Sequence, residues 1–281
     1  MGIDVSWLKS AFPNLEKISQ LGEGGQKWVF GCSHSEYKKV VLKLIKPGAE
    51  QRLDREIEAV KRLNGYVPTI YEMGLLDSPL GQLVWILEEY ITGSSLTERL
   101  RKAILDKQQV LRLTLDLLST VADAESKKIV HRDIKPDNIK IDDTGRAWLL
   151  DFGIARILDM ESKTGTDAVS GPHSPGYGAP EQFRNKKNEI DNRADLFAIG
   201  ITLYKSVTGN NPFLDGARDR LEVLRRVENT PLPALKLGWD KSGVFADFVS
   251  SLTQKFPYQR PRNSKEALNW FREIAKDLGE H

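Results

Sequence analysis

Over the first ninety residues apolar and polar positions alternate with the short period of β-strands, broken once by a helical stretch. Ile18 to Phe30 reads as strand interrupted by a glycine-rich turn. Tyr37 to Ile45 reads as a second strand, stopped by the breaker Lys46-Pro47-Gly48. Between Glu50 and Leu63 the spacing lengthens: Leu53, Ile57 and Val60 fall at i, i+4 and i+7, and Asn64-Gly65 closes the predicted helix. Strand-like runs return at Thr69 to Leu75 and Leu83 to Tyr90. The pattern predicts a small sheet with one helix.

From about Leu96 the period becomes helical. Gln108 to Ala124 carries Leu111, Leu115, Leu118 and Ala122 as a stripe to be buried. Ile129 to Phe152 reads as short strands and turns, and Glu161 to Gly178 is a polar stretch rich in Gly, Ser, Thr and Pro. Arg193 to Val207 is apolar nearly all round, which predicts a buried helix, and further helices are expected at Asp219 to Val227, Val244 to Leu252 and Ser264 to Leu278. A boundary therefore falls near Thr92-Gly93, strand-rich before it and helix-rich after.

Composition narrows the partners. The 281 residues suit one large or two modest domains, and 40% hydrophobic with 28% charged content excludes a disordered chain or a coiled coil. With 41 Lys and Arg against 39 Asp and Glu, the net charge of +2 argues against bulk electrostatic binding of nucleic acid, so no nucleic-acid partner is expected. Cys32 is the single cysteine, which excludes an internal disulfide and a multi-cysteine zinc site. The histidines at 34, 131, 173 and 281 are scattered. No apolar run approaches the ~18 residues of a membrane span, and no basic-then-apolar leader opens the chain, so the expectation is a cytoplasmic protein without a membrane span. Met1-Gly2-Ile3-Asp4-Val5-Ser6 fits the loose pattern for acylation of Gly2. An ordinary N-terminus is the simpler reading.

The chemistry concentrates in His131-Arg132-Asp133-Ile134-Lys135-Pro136-Asp137-Asn138, followed by Asp151-Phe152-Gly153. Six specified residues of H-R-D-x-K-P-x-N at about 5% usage each arise by chance with a probability of order 10⁻⁸ per start position. On these residues the chain resembles a eukaryotic-type protein kinase of the serine/threonine group, from about Glu16 to Leu278. The resemblance implies an α+β, bilobal fold: a small N-terminal antiparallel sheet lobe with one helix, about 16–91, and a larger, mainly helical C-terminal lobe, about 92–278. Residues 1–15 are then a short N-terminal extension.

The resemblance also assigns roles. Asp133 is implied as the catalytic base for a substrate hydroxyl, Lys135 as a cation near the γ-phosphate, and Asn138 and Asp151 as oxygen ligands to Mg²⁺, with Mn²⁺ able to substitute. Leu21-Gly22-Glu23-Gly24-Gly25-Gln26-Lys27-Trp28-Val29 looks like the loop that covers the ATP phosphates, although Lys27 stands where a third glycine belongs. Lys43, closing Val40-Val41-Leu42-Lys43, matches the lysine that pairs the α- and β-phosphates. Glu56, beside the apolar stripe of the 50–63 helix, is its expected acid partner. Glu89 and Ile91, within Ile86 to Gly93, match the hinge that holds adenine through main-chain groups. Glu88 then takes the gatekeeper position, or Leu87 does if the register shifts by one.

Downstream, Glu181 of Gly178-Ala179-Pro180-Glu181 is expected to pair with Arg260, and Asp195 to accept backbone hydrogen bonds from the catalytic loop. Both are structural roles. Ser174 occupies the place of a hydroxyl residue that contacts the base in serine/threonine kinases; a plain turn residue is its bland alternative. Arg132 before the base implies regulation by a phosphate on the activation loop, with autophosphorylation expected at Thr164, Thr166 or Ser170. Protein substrates bearing Ser or Thr follow, with a monomer or weak dimer as the working state. A pseudokinase or scaffold that binds nucleotide without transfer is one alternative, and a small-molecule phosphotransferase another.

Overall fold

The computed structural model describes residues 3–23, 27–45, 62–63, 65–152, 174–183 and 190–279. It divides into two compact units, Met1–Lys61 with Pro68–Ile91, and Arg62–Val67 with Thr92–His281. Among the described residues no helix is long and apolar enough to cross a membrane.

In the first unit, helix α1 (Val5–Ala11) precedes strands β1 (Leu15–Glu23), β2 (Lys27–His34), β3 (Lys38–Ile45), β4 (Ile70–Ser78) and β5 (Gly81–Glu89). The strands form one antiparallel sheet in the order β1-β2-β3-β5-β4. Pairing of Ser78 with Gly81 leaves Pro79-Leu80 as a two-residue hairpin loop between β4 and β5. Side chains alternate across the sheet: Val40, Leu42 and Leu44 of β3 and Leu83 and Leu87 of β5 join Trp28, Phe30 and Cys32 of β2 in one core. Burial there pushes the Cys32 thiol up to about 11, so it stays protonated and inert near neutrality.

Helix α1 gives no periodic signal, because in seven residues only Leu8 is fully buried. Asp4 caps it by accepting from the Ser6 N–H at 2.9 Å. Leu8 packs into the sheet core, and the Phe12 ring meets Trp85 edge to face at 5.3 Å. The helix expected over 50–63 lies outside the described residues.

The second unit opens with β6 (Ser94–Ser95), α2 (Leu96–Leu100) and α3 (Lys107–Ser126). Capping boxes, Ser95 with Glu98 and Asp106 with Gln109, start the two helices. Gly93 enters this unit at φ 94°, where a Cβ would run into the Ile141 carbonyl oxygen, so the position demands glycine. A 3₁₀ turn (Pro136–Asn138), β7 (Ile139–Ile141) and β8 (Ala147–Leu149) complete a sheet in the order β6-β7-β8. Then come α4 (Pro180–Phe183), α5 (Asn192–Thr208), α6 (Arg220–Asn229), α7 (Val244–Leu252), a 3₁₀ turn (Pro257–Gln259) and α8 (Ser264–Asp277).

Helix α5 is buried nearly all round, as its apolar surface predicts, and ends at Gly209 with φ 80°. In α3 Leu111 and Leu118 of the predicted stripe are buried, together with Val110, Leu113, Leu117, Val121 and Ala124, whereas Leu115 and Ala122 are half-buried. The helix is gripped by α8, α5 and β8 together, so its apolar face is wider than the expected line. The whole is an α+β fold, an antiparallel sheet unit followed by a mainly helical one.

Candidate active site

In the second unit the chain from His131 to Asn138 is held by a buried carboxylate. Asp195 of α5, 2% exposed, accepts the His131 N–H and the Arg132 N–H, each at 2.8 Å. Burial pushes its carboxyl up, and the two N–H groups with the nearby charge of Arg132 oppose that. Arg132 sits at φ 69°, a strained conformation for a side chain of its size that these contacts hold in place. His131 is fully buried; its Nδ1 accepts the Asp133 N–H at 3.2 Å, so the proton sits on Nε2, which donates to the Leu150 carbonyl at 2.8 Å. A neutral histidine thus ties the loop to the segment that leads into Asp151.

Around Asp133 three other predicted residues converge. Its Oδ1 accepts the Ser174 N–H at 3.1 Å. Its Oδ2 lies 3.0 Å from the Lys135 ammonium and accepts from Asn138 Nδ2 at 3.0 Å. Lys135 Nζ also donates to the Ser174 hydroxyl, so the hydroxyl meets the lysine and the main-chain N–H meets Asp133, while the Ser174 carbonyl accepts from Tyr177 and Gly178 in the following turn. Asn138 Nδ2 donates a second bond to the Asp133 carbonyl at 2.8 Å, which fixes the amide and turns Oδ1 to the other side. The Leu150 N–H donates to the Asn138 carbonyl at 2.8 Å and draws Asp151, at φ 66°, alongside.

Among the described residues no three His, Cys, Asp or Glu side chains converge as a metal cage. The Asn138 amide oxygen and the Asp151 carboxylate are hard oxygen donors. Such a pair fits a cation that keeps waters and takes the rest of its ligands from phosphate.

The A-P-E segment is clamped from the other side. Arg260, 4% exposed, grips Glu181 with two bonds of 2.6 and 3.0 Å, and donates further to the carbonyls of Arg193, Gln254 and Lys255. Motif spacing gives no hint of Gln182. Its amide accepts from the Ala179 N–H and donates to the Arg132 carbonyl at 2.9 Å, joining this segment to the catalytic loop. Nor does it single out Asn211, fully buried, whose amide holds the Gly176 carbonyl at 3.1 Å. Buried amides bonded to main chain are the signal, and they need the fold to be seen.

In the first unit Gly22 pairs with Val29 and Glu23 with Trp28, at the mouth of the β1-β2 hairpin. Leu21 is half exposed there, Lys27 opens β2 opposite Ile45, and Gly24 and Gly25 lie outside the described residues. Lys43, 3% exposed, faces Glu88 of β5 with Nζ 2.5 Å from Oε1. Register explains the pair. Val41 lies opposite Glu88 and Lys43 opposite Ile86, so all four side chains share a face, whereas Leu87 lies opposite Leu42 on the core side. Of the two gatekeeper candidates, Glu88 is the one on the lysine's face. Glu56, the expected partner, lies outside the described residues, as do Thr164, Thr166 and Ser170. Glu89 uses its carboxylate to accept from the Thr69 N–H and hydroxyl, at 3.2 and 3.0 Å, and Ile91 is buried.

The sequence profile of the protein kinase domain matches residues 15–271. The chain is similar to a probable serine/threonine-protein kinase of Clostridium perfringens, 27% identical over 271 residues, which are 93% of this chain and 38% of that protein. It is 32% identical to the serine/threonine-protein kinase pkn3 of Myxococcus xanthus over 229 residues, 76% of this chain and 41% of the relative. To the serine/threonine-protein kinase PknB of Mycobacterium leprae it is 32% identical over 190 residues, 66% of this chain and 30% of the relative. The chain spans well under half the length of each.

Proposed function

Because the chain belongs to the protein kinase family, we propose that it is a serine/threonine protein kinase that transfers the γ-phosphate of ATP to hydroxyls of protein substrates. Family membership implies ATP and a divalent metal; Mg²⁺ is the proposed ion, held by Asn138 and Asp151, with Mn²⁺ as a substitute. When bound, ATP with its metal supplies the phosphoryl group and neutralises much of its charge. The rest falls to positioning.

Asp133 orients the substrate hydroxyl and takes its proton. The groups that grip both carboxylate oxygens, Ser174, Lys135 and Asn138, stop that carboxylate from rotating. Lys135 offsets charge on the transferring group, and Lys43 pairs the α- and β-phosphates. Leu21, Gly22, Glu23, Gly24, Gly25 and Val29 cover the phosphates, while Glu89 opens the hinge and Ile91 offers the main-chain donor and acceptor that hold adenine. The convergence of Asp133, Lys135, Asn138 and Ser174 is the observation that carries this reading.

Incubation of the purified chain with labelled ATP and Mg²⁺, alone and with a generic basic protein, tests it. Label is expected on Ser and Thr, falling by about a hundredfold or more in Asp133→Ala, the scale of a lost general base. Nucleotide binding by the wild type without any transfer would overturn it in favour of a scaffold. Phosphates on Thr164, Thr166 or Ser170, read by mass spectrometry, belong to the same proposal, with Arg132 as their partner; an unmodified loop in the active enzyme would rule them out.

A further inference from the structure

On the face of the sheet that carries Lys43, the buried positions beside it are apolar, Val41 and Ile45 of β3 and Val84 and Ile86 of β5. Glu88 stands in this surface with its side chain 10% exposed, against a Lys43 side chain 4% exposed. A carboxylate so placed is costly unless paired, and the pair is present. Its geometry comes from the ladder. Continuous pairing from Val40 with Glu89 to Ile45 with Val84 fixes both Cα positions on adjacent strands, so the distance between ammonium and carboxylate is a property of sheet register.

We propose that Glu88 is a positioning residue for the nucleotide: a strand-borne acid that aims Lys43 at the phosphates. This rests on the kinase reading above. The general mechanism gives that task to an acid on a helix whose placement is under regulatory control. An acid on the neighbouring strand holds the lysine for as long as β3 and β5 stay paired.

The test is a double-mutant cycle read as ATP affinity and as KM and kcat on the full chain, with Lys43→Met, Glu88→Gln and the pair combined. Glu88→Asp keeps the charge, and melting curves verify folding. Glu88→Gln is expected to weaken ATP binding by about tenfold or more, the scale of one charge-assisted bond, and Glu88→Asp to restore part of it. In the combined variant the two losses do not multiply, because without Lys43 the acid has nothing to aim. A folded Glu88→Gln that binds ATP like the wild type, or losses that multiply cleanly in the combined variant, would overturn the proposal. Failure of the kinase reading looks different: the wild type itself then transfers no phosphate.

Discussion

Single side chains in this protein matter most where a buried charge has one partner. Arg260 and Glu181 are 4% and 6% exposed and meet at 2.6 Å. Arg260→Ala leaves the Glu181 carboxylate buried without its partner, and the expected loss is about 3–5 kcal/mol of stability, measured by denaturant unfolding. Both ends of this pair are legible in the sequence, because a motif fixes residue type where chemistry or burial of charge demands it. The Lys43 contact is only half legible. The lysine announces itself by its strand, but that Glu88 faces it follows from which strand lies next to β3 and in what register, and neither is written in local spacing. Gln182 is invisible for the same reason: its value lies in reaching the Arg132 carbonyl fifty positions away.

Elements were readable in proportion to their length and to how one-sided their burial is. Helices α5, α7 and α8 and the strands β3 and β5 stand where periodicity puts them, within a few residues. The buried face of α3 includes Leu111 and Leu118 of its predicted stripe but spreads beyond it because several neighbours share it. Helix α1 escapes because seven residues, about two turns, cannot display a period. Its contribution is nevertheless concrete: Leu8 is fully buried among Leu15, Trp28 and Phe30. Leu8→Ala is expected to cost about 2–5 kcal/mol, seen as a lower melting temperature, whereas truncation of exposed Val5 on the same helix is expected to change it little.

For the molecule as a whole, a pH response comes from Lys255. Burial lowers its amine to about 8, helped by the charge of Arg260, and among the described residues no hydrogen-bond acceptor meets its Nζ, which lies 4.2 Å from the Phe213 ring centre and 5.7 Å from that of Phe197. Unfolded, the same amine holds its proton to about 10.4. Below pH 8 both states are charged and the cost of burying the charge is fully present; between about 8 and 10.4 the unfolded chain binds the extra proton, so stability rises with pH. Comparison of unfolding curves for wild type and Lys255→Met across that window is expected to show the difference between them shrinking as pH rises.

The Arg260 guanidinium also carries a record of time. It bonds to Glu181, to the Arg193 carbonyl and to those of Gln254 and Lys255, so two of its contacts close loops of 79 and 67 residues. Contacts that distant form only after the intervening chain has been ordered. The clamp is therefore expected to form late on the folding route and to be released early in unfolding. Removing it is expected to leave the refolding rate nearly unchanged and to speed unfolding, so that the arginine sets how long the folded molecule lasts rather than how quickly it is made.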